Sequence, residues 1–204
     1  MTVNYLLLAW AALIINGPTL GGPGLGGPAD QSNALVSHPS GSGIVSVISP
    51  ETQQAGQTVV AFLHWYKTHM QAVNRFPLVN QQAGKPYSVN FKNGEQYLAC
   101  LKSSHLLTDA YLSQWRTYFN ERNTGFRLSP QDEGPPAGFE YDLVMLTQDV
   151  DKQLASLKSV KISKVAVVKN RATVVLTLLD AYEFRLIRQN NHWLINEILN
   201  LSQE

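Results

Sequence analysis

Val160-Lys161-Ile162-Ser163-Lys164-Val165-Ala166-Val167-Val168, then Lys169-Asn170-Arg171, then Ala172-Thr173-Val174-Val175-Leu176-Thr177-Leu178-Leu179: this stretch decides how the chain folds. β-Branched residues dominate both apolar runs. Such side chains pack well on a pleated surface and lose rotamer freedom in a helix. The short polar turn between the runs makes them neighbouring antiparallel strands. Residues 172–179 are apolar on both faces, which places that strand inside the sheet. Tyr182-Glu183-Phe184-Arg185-Leu186-Ile187-Arg188 alternates, as a half-exposed strand does. Gln189-Asn190-Asn191 is a tight turn of residues that tolerate positive φ, and His192 to Ile198 is the closing strand. Residues 159–201 therefore predict a run of antiparallel strands.

Upstream, the apolar period lengthens from two to between three and four. Val59, Phe62, Leu63, Tyr66 and Met70 form one stripe, which predicts a helix over 51–74. Ser49-Pro50-Glu51 is its start signal and Pro77 lies beyond its end. A second helix is expected at 93–103 and a third at 108–123, with Thr108-Asp109 as its cap. On the third, Tyr111, Trp115, Tyr118 and Phe119 share a face that reads as core, leaving Arg116 and Arg122 on the solvated side. Residues 129–138 are a stiff acidic loop. The run 139–151 that follows has a short apolar centre that suits a strand or a helical turn. The expected architecture is α+β: N-terminal helices packed on a curved antiparallel sheet, in one domain at 51–204.

The 204-residue chain is 44% hydrophobic, enough for a core of ordinary size. Charged residues make up 15%, against about 25% in an average soluble domain. Part of the shortfall comes from the first 50 residues, where Asp30 is the only charged side chain. The net charge of +1, with Lys and Arg scattered, excludes nucleic-acid binding as a reading. The single cysteine, Cys100, lies in an apolar helical stretch and reads as a buried structural thiol. Residues 5–15 (YLLLAWAALII) have the length of a signal-peptide core, too short to span a bilayer comfortably. The expectation is a signal peptide at 1–16, a Gly/Pro/Ser-rich flexible linker at 17–50, and export to the periplasm or cell envelope with no transmembrane segment in the mature chain.

Helices followed by a twisted antiparallel sheet ending in Trp193-Leu194-Ile195-Asn196-Glu197-Ile198 resemble the nuclear-transport-factor-2-like, or cystatin-like, superfamily. Three further pieces resemble bacterial envelope proteins of unknown function within it, of the kind found in Bacteroidetes. They are Phe62-Leu63-His64-Trp65-Tyr66; Tyr97-Leu98 with Leu101-Lys102-Ser103-Ser104 and Tyr111-Leu112; and Gly134-Pro135-Pro136, Gly138-Phe139 and Tyr141-Asp142 running into Thr147-Gln148-Asp149. The resemblance implies a cone-like sheet with helices across its mouth and a pocket inside. It also implies that pocket carboxylates, histidines and tyrosines can serve as acids and bases.

A carboxylate in an apolar pocket has a raised pKa and can move protons near neutrality. Asp142 and Asp149 are the candidates, with Tyr66, Tyr141 and Gln148 as companions in ligand binding and His64 as a further neighbour. Against this stands the ordinary use of aspartate to cap turns and helices. Residues 148–151 lack the glycine and bidentate glutamate of a calcium loop. His64 and His69 are five apart, not the four that would align two imidazoles on one helix face. No phosphate loop, dinucleotide fingerprint or nucleophile elbow occurs. The expectation is a non-catalytic domain, monomer or homodimer, without metal or cofactor, that binds a small ligand or a protein partner. The alternatives are a lyase or isomerase using Asp142 or Asp149 as base, and a structural or immunity-type partner protein acting through the Pro135-Pro136 loop.

Overall fold

The computed structural model describes residues 49–202. The expected signal peptide, and all but the last two residues of the expected linker, lie outside them.

Helix α1 (Pro50–Asn74) opens where its sequence says it should. The Ser49 hydroxyl accepts from Thr52 N at 3.2 Å, Pro50 takes the first helical position, and Glu51 sits in the first turn. Its buried face carries Val59, Phe62, Leu63 and Tyr66, all fully buried. A two-residue ribbon follows, β1 (Val79–Asn80) on β2 (Ser88–Val89), which has no signature in the sequence. Helix α2 (Phe91–Lys102) begins two residues earlier than expected because Asn90 caps it, accepting from Asn93 N at 3.0 Å.

Helix α3 (Asp109–Leu128) is capped by Thr108 as expected, but runs five residues beyond 123. Asn123-Thr124-Gly125 is poor helix sequence. Packing overrides it: Phe126 is buried, edge-on to Tyr87 at 6.2 Å and stacked with Phe139 at 6.4 Å. The aromatic stripe is core, with Tyr111 and Phe119 buried and Trp115 and Tyr118 partly so. Arg116 does face solvent, paired to Glu95. Arg122 does not: it is half-buried with its guanidinium 5.3 Å from the Tyr118 ring centre. Cys100 is half-buried against the core.

Of the two expectations for the apolar centre of 139–151, a strand or a turn, the structure has the turn. The run makes a tight turn and then the short helix α4 (Val150–Ala155), followed by a 3-10 turn at Ser156–Ser159.

The sheet has four antiparallel strands in sequence order: β3 (Lys161–Val168), β4 (Arg171–Thr177), β5 (Ala181–Gln189) and β6 (His192–Asn200). The strand that is apolar on both faces, β4, is an inner one, as expected. The β5–β6 turn places Asn190 and Asn191 at φ 49° and 63°, the left-handed pair that a two-residue hairpin needs. The core face of the sheet is built from alternating residues: Val174 and Leu176, Tyr182, Phe184 and Leu186, then Trp193 and Ile195. On β6 the register shifts by one residue at Asn196. This bulge lets Ile195 and Ile198, three apart, both face inward. The helices pack against this face. The fold is α+β, four-stranded and antiparallel. Among the described residues no helix is long and apolar enough to cross a membrane.

Candidate functional site

The acidic segment 129–149 has almost no regular backbone pairing, so side chains hold it. Gln131 donates to the carbonyls of Glu133 (3.0 Å) and Pro135 (2.7 Å) and accepts from Ala137 N (3.0 Å). Tyr118 donates to the carbonyl of Gly138 at 2.6 Å, and Tyr87 to that of Gly134 at 2.9 Å. Gly138 adopts φ 88°, and a Cβ there would lie 2.6 Å from both Arg122 Cδ and Tyr118 Oη. Only glycine satisfies both constraints. Phe139 is thereby set among Tyr118, Phe119 and Phe126.

Asp142 closes the next turn. Its Oδ1 accepts from Val144 N (3.0 Å) and Met145 N (2.8 Å), and its Oδ2 accepts from the Tyr66 hydroxyl at 2.5 Å. Its backbone pairs with Thr147 across the turn. Of the four residues between, Leu143, Val144 and Met145 are buried and Leu146 is half-buried, and Tyr182 of β5 donates to the Met145 carbonyl at 3.1 Å. The apolar centre of the run is thus a plug driven into the core, held at its neck by one carboxylate.

Burial raises the Asp142 pKa above the ordinary carboxylate value, while hydrogen bonds from Tyr66, Met145, Asn74 and Val144 pull it back without overcoming burial. Burial likewise drives the phenols of Tyr66 and Tyr97 far above the normal tyrosine range, with the Asp142 charge adding to the effect. Tyr66 and Asp142 are hydrogen-bonding partners of each other, and neither phenol ionises at neutral pH.

Above Asp142 lies an open groove of about 700 Å³. Its walls come from the end of α1 and the residues after it, from Tyr97 on α2, and from 136–150; no residue of β3–β6 lines it. Three of the five residues singled out in the sequence, Tyr141, Asp142 and Gln148, border it. Tyr66 is fully buried, reaching the groove only through its bond to Asp142. Asp149 is placed apart: it stands at the start of α4, makes no capping bond, and pairs with exposed Lys152 at 2.7 Å. His64 lies on another groove, beside β3. Sequence reasoning missed Asn74, Phe76, Gln81 and Glu140. Their one legible signal was the break after α1 at Pro77, which sends the chain back across the Asp142 turn. Among the described residues no group of three His, Cys, Asp or Glu is placed to hold a metal ion.

No protein-family model, no curated protein and no solved structure matches this chain.

Proposed function

We propose that the chain is a non-catalytic binding domain, and that the groove above Asp142 receives a small neutral or cationic polar ligand. The lining supports this chemistry. Phe76, Phe139 and Tyr141 offer aromatic surface, and Asn74, Gln81 and Gln148 offer amides; among the described residues Glu140 and Asp142 are the charged groups of the lining, with no Lys or Arg. Flat apolar faces plus hydrogen-bonding amides suit a sugar-like or amine-bearing molecule, and the two carboxylates disfavour an anion.

The observation that carries the non-catalytic reading is the occupancy of Asp142. A general base needs a free lone pair directed at its substrate. Three of the four lone-pair positions on Asp142 already accept hydrogen bonds, two from the protein's own turn and one from Tyr66. Export and membership of the nuclear-transport-factor-2-like superfamily belong to the same proposal, on the sequence features given above. Mass spectrometry of the native chain tests the first: an intact Met1 in a cytosolic fraction would rule it out.

The binding test is a thermal-shift panel of neutral sugars, amines and anionic counterparts. Neutral or cationic compounds should raise the unfolding midpoint. Tyr141→Ala and Gln148→Ala should abolish that rise. A panel in which only anions stabilise the protein would refute the reading, as would turnover that is lost in Asp142→Asn.

A further inference from the structure

The two edges of the sheet are finished differently. Along β6 the chain just before α3 adds a parallel bridge: Ile195 N donates to the Leu106 carbonyl at 2.8 Å, and Thr108 N to the Ile195 carbonyl at 2.9 Å. Among the described residues β3 pairs with β4 alone. Alternate backbone groups on the outer side of such a strand lack a ladder partner, which makes it a template for another strand.

The side chains beside this edge are not finished either. Ile162, Val165 and Val167 stand opposite Leu176, Val174 and Ala172 and so share the core face. Their β4 partners are buried, yet Ile162 is 41% exposed. A groove of about 870 Å³ runs between this flank of β3 and α1, with Gly56, Val60 and Ala61 on the helix side. A Cβ at Gly56 would lie 3.3 Å from Ile162 Cδ1, so glycine lets the two elements approach. Lys164 lines the groove, Lys161 begins the strand, both are exposed, and among the described residues no carboxylate lines it.

We propose that the β3 edge is a docking site for an extended, acidic segment of a partner protein. The segment adds as an antiparallel or parallel fifth strand along 164–168, sets alternate apolar side chains into the groove, and places carboxylates against Lys161 and Lys164. Charge selects this occupant over a second copy, because edge-to-edge pairing of two β3 strands adds lysine to lysine, and like charges across strands destabilise. The bulge at Ser163, where the β3–β4 register shifts, also shortens the regular edge to a length that suits a peptide.

The test uses the full chain and two ten-residue peptides of alternating Val and Thr, one flanked by Asp and one by Lys. Hydrogen exchange and titration are measured together. The Asp-flanked peptide should bind, slow exchange of the β3 amides but not those of β6, and bind at least about fivefold tighter than the Lys-flanked one. Lys164→Glu, at an exposed position, should abolish that preference without moving the unfolding midpoint. Equal affinity for both peptides would overturn the proposal. So would β3 amides already protected in the free monomer, which would mean the chain covers its own edge. Protection that grows with protein concentration would assign the edge to a second copy instead.

Discussion

Residues 161–200 and residues 129–149 solve one problem by two means. Each must satisfy its backbone polar groups near an apolar core. In the sheet the bonds are made strand to strand, repeat along β3–β6, and depend little on which side chain occupies a position. In the segment before it they run from backbone to a few side chains: Gln131, Glu140, Asp142, Tyr118 and Tyr182. The sheet thus spreads its stability over many apolar contacts, and the segment concentrates its own in single polar atoms. Damage should therefore be graded in the sheet by volume removed, and in the segment by donors orphaned.

The largest effect should come from the sheet. Phe184→Ala empties a fully buried site beside Tyr182 and should cost about 3–5 kcal/mol in denaturant unfolding. A loss below about 1 kcal/mol would mean the core face is not packed as described.

Asp142→Ala comes next, since it strands two backbone N–H groups and the buried Tyr66 hydroxyl; about 2–4 kcal/mol is expected. Asp142 also sets a pH dependence with an unusual sign. Its folded pKa lies above the unfolded value of about 3.9, so the folded state binds the proton more tightly. That contribution is fully present below about pH 3.9 and is lost as pH rises through the folded pKa. In Asp142→Asn this decline should vanish, and a wild-type profile rising across the same window at this residue would reverse the assignment.

Gly138→Ala should cost about 1–3 kcal/mol, because it meets both a left-handed backbone and the Tyr118 and Arg122 side chains. The smallest effect belongs to Asp149→Ala, which removes an exposed ion pair and should leave the unfolding midpoint and any ligand response unchanged. A ligand-binding defect in that variant would bring Asp149 back into the site.

The same contrast explains what could be read in advance. The strands were legible because a pleat alternates side chains between faces, so burial writes a period of two into the sequence. The Asn190-Asn191 turn was legible because few residues accept left-handed φ twice in succession. Helix starts at Ser49 and Thr108 were legible from their capping side chains. The candidate site was legible only in part. Asp142 stood out as an acid beside an apolar run, and so did Asp149, two residues that nothing local distinguishes.

By itself, then, the sequence determined the class: helices first, a four-strand antiparallel meander after, and an acidic segment between them. Local rules suffice for that, since periodicity, caps and turns act within a few residues. Tertiary structure alone decided which aspartate matters. The Tyr66 hydroxyl lies 76 positions away from Asp142 in the chain, and Lys152 only three from Asp149. It also kept α3 helical through Gly125 by burying Phe126, and opened the groove over Asp142 rather than against the strands. A buried partner from a distant helix can hold a carboxylate and fix a turn, and no pattern in the neighbouring residues records where that partner comes from.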